Sequence, residues 1–170
     1  MRSQLHTFAP VIVVRSIGNT YAARAIDLVL PIQQLEFGVP VTLEAQPDLL
    51  DIEGFYHRSG GGFWGALDGA RLVGTIGLLA LGDGDGALRK MFVHRDYRGK
   101  ERGIAQDLLE TLLAHCRAAG IEDVYLGTIS HMRAAARFYE RNGFVQVSRS
   151  GLPATFPLTL VDNTFYHLHV

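Results

Sequence analysis

The 170-residue chain contains a single cysteine, so no internal disulfide can brace it, and a reducing cytoplasm suits it. That residue, Cys116, falls on the apolar side of a periodic segment and reads as a buried structural thiol rather than a nucleophile. No run approaches the ~18 consecutive apolar residues that a membrane helix needs. The apolar stretch 8–14, followed by Ala23-Arg24-Ala25, imitates a secretory leader, but Arg15, Ser16, Asn19 and Thr20 interrupt it. Residues 11–15 read better as a first strand. An excess of one charge is missing too. Sixteen basic against seventeen acidic residues leave a net charge of −1, which argues against a general nucleic-acid binder. No repeat, linker or low-complexity segment divides the chain. With 48% hydrophobic and 19% charged residues, it is expected to fold as one domain over 1–170.

What is present is concentrated in residues 87–120. Met91-Phe92-Val93 has the composition of a buried strand. The basic loop Arg98-Gly99-Lys100-Glu101-Arg102-Gly103 follows. A helix comes next, with Ala105, Leu108, Leu109, Leu112, Cys116 and Ala119 at helical spacing and Gly120 as its C-cap. Strand, glycine loop and helix N-terminus form a phosphate-binding layout, because the first free N–H groups and the positive dipole end point into the loop. Six basic residues stand against two acids between Arg89 and Arg102, a local +4 in a chain whose remainder is −5. Gly103 leaves room for a phosphate to approach the backbone.

Elsewhere, Thr20 can cap a helix from Tyr21 through Ala25, Leu28, Val29 and Ile32, with Pro31 bending or ending it. A second helix is expected over 47–57, broken by Ser59-Gly60-Gly61-Gly62. Strands at 63–67 and 72–81 flank the hairpin signal Asp68-Gly69. The turn Gly82-Asp83-Gly84-Asp85-Gly86 imitates a calcium loop but lacks its later ligands. Asp123–Thr128 is a fifth strand, parallel to the fourth because a helix joins them. Ser130 is placed to cap a helix over 131–141 that Asn142-Gly143 ends, and strands at 144–148 and 165–170 close the chain. His167 and His169 share a strand face without a third ligand, so no metal site is expected. Hairpins plus a parallel β-α-β unit imply an α/β fold: a mixed, mostly antiparallel sheet with helices on both faces.

Two motifs resemble those of the GNAT N-acetyltransferases. Val93-x-x-x-Tyr97-Arg98-Gly99-Lys100 followed by Gly103-Ile104-Ala105 is similar to the family's acetyl-CoA loop, with either Arg98 or Lys100 as lead residue. Ala135-x-x-Phe138-Tyr139-Glu140-Arg141-Asn142-Gly143-Phe144 is similar to its second signature, although Met132 stands where the family often has Asn. The resemblance implies that acetyl-CoA lies where the fourth and fifth strands splay apart. Met91, Phe92 and Val93 would line the pantetheine arm, with the backbones of Met91 and Val93 pairing with its amides. The run Arg98, Gly99, Lys100, Arg102, Gly103, Ile104 and Ala105 would hold the pyrophosphate. Tyr139 would stand near the thioester sulfur and protonate the departing thiolate.

The reaction so implied moves acetyl to a primary amine by direct attack in a ternary complex. The acceptor would be a small molecule or peptide, no nucleic acid or membrane is involved, and family habit points to a homodimer. An alkyl ammonium with a pKa near 10.4 must first lose a proton, at a cost of about 4–5 kcal/mol at pH 7. Many relatives carry a Glu near the start of the fourth strand, where this chain has Gly86-Ala87-Leu88. Glu36, Glu44, Glu53 or a water relay could replace it, and Glu36, beside Phe37-Gly38, is the candidate base. The acceptor pocket is expected from 33–62 and 150–157. A CoA-binding sensor or scaffold without turnover is the alternative. A Rossmann oxidoreductase is disfavoured because G-x-G-x-x-G and the P-loop are absent.

Overall fold

The structure, a computed structural model, describes residues 11–170. Residues 8–10 of the leader-like stretch lie outside that range. Seven strands form one sheet: β1 (Ile12–Ser16), β2 (Gly62–Asp68), β3 (Arg71–Gly82), β4 (Asp85–Val93), β5 (Asp123–Thr128), β6 (Val145–Val147) and β7 (Thr164–His169). Their order is β1-β2-β3-β4-β5-β7-β6, antiparallel except for β4 and β5. The helices are α1 (Ala22–Pro31), α2 (Ile104–Ala119) and α3 (Arg133–Arg141). Among the described residues, no helix is long and apolar enough to cross a membrane.

The central strands are covered on both faces, which is why β2 and β3 read as near-continuous apolar runs. On one face, α2 places Ile104, Leu108, Leu109, Leu112 and Cys116 against Trp64, Ala66, Val73, Ile76 and Leu78, and α3 adds Tyr139. On the other, Ala25, Leu28 and Val29 of α1 meet Phe63, Leu67 and Leu72. Gly120 closes α2 at φ 74°, donating to Cys116 O, as its position after the last apolar turn requires. Burial pushes the Cys116 thiol up to about 11, so it stays protonated and inert at neutral pH.

Pro31 is the last residue of α1, as its ring dictates, and a wider turn, Ile32–Glu36, follows it, closed by Phe37 N donating to Ile32 O at 3.0 Å. Three local expectations need correction. Thr20 does not cap; it lies within a 3-10 turn, Asn19–Tyr21, that leads into α1. The segment 47–57 is a 3-10 turn, Pro47–Leu49, and a wide turn, Glu53–His57, rather than one α-helix. There the Asp51 side chain takes the Gly54 N–H at 3.0 Å, competing with the backbone ladder. Ser130 does not cap α3, which begins after Met132; its N–H donates to Asn163 Oδ1 at 2.8 Å.

The sheet opens in the middle. β4 and β5 pair only through Asp85, Gly86 and Ala87 against Asp123, Val124 and Tyr125. Beyond that, β4 carries a bulge. Its register against β3 shifts between Thr75 and Gly77, Lys90 takes φ 53°, and Thr75 Oγ1 donates to Lys90 O at 2.7 Å. β5 meanwhile stays paired with β7 as far as Thr128. One strand is bent while the other is held, so a gap opens between them.

Leu108 is fully buried at the centre of the α2 face, its Cδ1 close to Gly74 of β3. Leu108→Ala is expected to cost about 2–5 kcal/mol, read as a shifted midpoint in urea unfolding.

Candidate active site

The gap between β4 and β5 is the floor of a cleft of about 1470 Å³. One lip is β4 from Leu88 to Val93; the other runs from Leu126 through α3 to Tyr139. Residues 37–48 and 156–162 wall the far end. Of the segments expected to form the acceptor pocket, parts of 33–48 and Phe55 line the cleft, and from 150–157 only Phe156 and Pro157 do, continuing into 158–162.

The β4 edge is unpaired here. His94 N donates to Val73 O at 2.8 Å, so His94 faces β3; alternation then turns the backbone groups of Val93 and Met91 toward the cleft. Met91, Phe92 and Val93 are half-buried rather than buried, because β4 has lost its β5 neighbour along this length.

At the near end, Gly103 adopts φ 66° and α2 starts without a side-chain cap. Asp107 N to Gly103 O, 2.9 Å, is the first bond of the helical ladder, which leaves the N–H groups of Ile104, Ala105 and Gln106 without i−4 acceptors. Gly99, Lys100, Gly103 and Ala105 line the cleft. Gln106 Nε2 donates to Asn142 Oδ1 at 2.9 Å, and Asn142 Nδ2 to Phe138 O, tying the α2 start to the end of α3.

Three of the predicted site residues have other work. Arg98 donates Nε to Val93 O at 2.7 Å and closes a two-pronged ion pair on Glu36, so it braces the loop against the end of the first helix. Arg102 stands over the Tyr97 ring, 5.2 Å from its centroid, outside the cleft lining. The Ile104 side chain is core. Both candidate leads are exposed and line the cleft; Arg98 is held by Glu36, whereas Lys100 makes no ion pair or hydrogen bond among the described residues.

Glu36, the candidate base, is tied to Arg98 rather than set in the cleft. Hydrogen bonds from Arg98 hold its carboxyl below the usual carboxylate range despite partial burial, and its side chain does not line the cleft. Glu44 and Glu53 do not line it either. Tyr139 does. Its ring packs edge-on against Phe144 and Phe138, with centroids 5.5 and 5.7 Å away. Burial, aided by Asp162, raises its pKa, so it is a phenol at every physiological pH.

Sequence reasoning missed a buried polar network in the cleft wall. Lys90 Nζ lies 3.3 Å from Asp48 Oδ2, with side chains 7% and 3% exposed, and Tyr56 OH donates to the same oxygen at 2.5 Å. Gln33 and Gln46 exchange reciprocal amide bonds of 2.9 Å nearby. Burial opposes ionisation of Asp48, but Lys90, Arg89 and Tyr56 outweigh it and its pKa falls; burial lowers that of Lys90. Asp162, in the cleft mouth, was missed as well.

A mixed sheet parted between two parallel strands, with an open helix start at one lip, is the architecture of the acyl-CoA N-acyltransferase fold. The chain belongs to the acetyltransferase (GNAT) family, whose model matches residues 26–144. It is similar to the GNAT-family acetyltransferase of Staphylococcus aureus Mu50: 38% identity, 94% of this chain and 99% of that one covered, TM-score 0.90. It is 36% identical over 110 residues to the probable N-acetyltransferase camello of Xenopus tropicalis, covering 63% of this chain and 49% of that protein. The chain spans about half the length of the curated relatives it matches. The Paia N-acetyltransferase of Thermoplasma acidophilum, crystallised with coenzyme A, shares the fold at TM-score 0.69 and 16% identity, covering 94% of this chain and 99% of that one.

Asp48→Ala strands a buried ammonium and is expected to destabilise by about 3–5 kcal/mol at pH 7, measured by urea unfolding. The folded pKa of Asp48 lies below its ordinary ~3.9, so the pair's contribution is present above that value and is lost as pH falls through the folded pKa. Asp48→Asn should lack this part of the acid dependence.

Proposed function

We propose that this chain is an acetyl-CoA-dependent N-acetyltransferase that moves the acetyl group from the thioester to a primary amine by direct attack in a ternary complex. The observation that carries the reading is the meeting, on one cleft, of an unpaired strand edge, an uncapped helix start and a buried phenol. Family membership and the coenzyme A bound by the Thermoplasma relative support it.

An acyl-CoA is long, with amides in its arm and a diphosphate at one end. The Met91 backbone and the Val93 N–H offer the arm strand-like partners, as an added strand would, the Val93 carbonyl being taken by Arg98. The free amides of Ile104 and Ala105, with the dipole of α2 and the Lys100 ammonium, offer the diphosphate fixed positive ends. Arg98 and Glu36 shape the loop rather than touch the ligand.

The sulfur end then falls between β4 and Tyr139. A phenol with a raised pKa is a poor source of a free proton but a dependable hydrogen-bond donor. Tyr139 therefore stabilises the thiolate as the C–S bond breaks, and the proton that finally resides on sulfur originates on the attacking nitrogen. The acceptor enters from the far end, between 37–48 and 156–162. A neutral amine is required there, so desolvation by this largely apolar wall and a local base must together offset its protonation.

Two substitutions separate binding from chemistry. Gly103→Glu puts a carboxylate where the diphosphate would lie and should raise the acetyl-CoA Kd in calorimetry by at least about tenfold, or 1.4 kcal/mol. Tyr139→Phe should keep Kd within about twofold while kcat falls about 10²-fold in a thiol-release assay. Tight coenzyme binding without turnover on any amine would favour the sensor reading instead.

A further inference from the structure

Transfer to an ammonium needs a proton acceptor beside the acceptor nitrogen, and none of the three glutamates nominated for that task lines the cleft. Two other carboxylates do, and one of them, Asp48, is already paired with Lys90. Asp162 lies between β6 and β7, where the chain crosses the cleft mouth. Its backbone is fixed on both sides. Its own N–H donates to Thr159 Oγ1 at 3.3 Å, and Asn163 N donates to Thr128 O at 3.0 Å. Asn163 Oδ1 also accepts the Ser130 N–H at 2.8 Å, stitching the segment to the end of β5.

The side chain points into the gap. It rests against Gly127, in the part of β5 that has left β4, and a Cβ there would stand 2.6 Å from Asp162 Oδ2. Glycine at this position is what admits the carboxylate. Asp162 makes no ion pair with any described residue, whereas Glu36 is tied to Arg98 and Asp48 to Lys90. The charged and titratable groups that face it are Arg89 and Lys90 from β4 and the phenol of Tyr139 from α3. The Thr159 hydroxyl stands beside it on its own segment.

We propose that Asp162 is the general base of the transfer, taking a proton from the acceptor ammonium at the cleft mouth. The proposal rests on the acetyl-transfer reading. The ammonium gives one proton to the Asp162 carboxylate, and the freed lone pair forms the C–N bond at the thioester carbonyl while the π pair moves to oxygen. On collapse, the C–S bond breaks and the pair leaves on sulfur, hydrogen-bonded by Tyr139. A second proton passes from nitrogen to sulfur, giving amide and free thiol, and Asp162 returns its proton to water. Burial raises the Asp162 pKa against the pull of Thr159, Arg89 and Lys90, bringing the carboxylate closer to the basicity this role needs; the Arg98 bonds move Glu36 the opposite way.

The test uses the full chain, acetyl-CoA, and a panel of L-phenylalanine, phenethylamine, spermidine and a tripeptide with a free N-terminus, following thiol release from about pH 6 to 10. Asp162→Asn should lower kcat/KM about 10²-fold at pH 7 while the acetyl-CoA Kd, read by calorimetry, stays within about twofold. The deficit should shrink as pH rises toward the pKa of the amine used, about 10.4 for an alkyl amine and about 8 for a peptide N-terminus, where the nucleophile is free without help. Asp162→Glu should recover part of the loss at pH 7. A wild-type rate and profile in the Asn variant, or a loss equal at every pH, overturns the base role and leaves acetyl transfer standing. Absence of wild-type turnover on every amine overturns the transfer reading, and the base role with it.

Discussion

The parting of β4 from β5 after Ala87 and Tyr125 is the constraint on which everything else depends. A parallel pair continued to its full length would bury both edges and leave no cleft. The pair is broken by the bulge at Lys90, where a non-glycine residue is held at φ 53° with its carbonyl bonded to Thr75. Such a conformation costs of the order of 1–3 kcal/mol. It persists because the Lys90 side chain reaches Asp48, and Asp48 in turn is fixed by Tyr56. The cleft is thus kept open by a buried ion pair in its own wall.

The two ends of the cleft are built by different means. The end proposed for the coenzyme uses backbone: an unpaired strand edge and a helix start. The end proposed for the acceptor is walled by side chains from turns and the segment 156–162. That division suits a reaction with one constant and one variable substrate, because loops can change while the frame that aligns the thioester stays put. Asp162 belongs to the variable end. Its placement nonetheless depends on the frame, through Asn163 on Thr128 and through the bare Cα of Gly127.

Glu36 and Asp162 illustrate how a carboxylate's role is set by its partners. Glu36 is close in sequence to the predicted acceptor wall, yet Arg98 captures it and lowers its basicity. Asp162 has no cationic partner within ion-pair distance, and burial moves it the other way. The Arg98–Glu36 pair also anchors the loop before Gly103 to the end of the first helix.

The amino-acid order alone determined α2 with its Gly120 cap, the Asp68-Gly69 hairpin, the span of β5 and the parallel crossover between β4 and β5. Each of these rests on short-range periodicity or turn chemistry that neighbouring residues supply. Tyr139 and the Gly103 loop were legible for the same reason, as local patterns with a recognisable spacing. The widened turns at 32–36 and 53–57, the Lys90–Asp48 pair, the capture of Glu36 and the approach of Asp162 to Gly127 were decided only by the tertiary structure. Their partners lie tens of residues apart. No local pattern encodes which of several carboxylates will meet an arginine and which will be left facing an open cleft, because that choice is made by the packing of whole elements against one another.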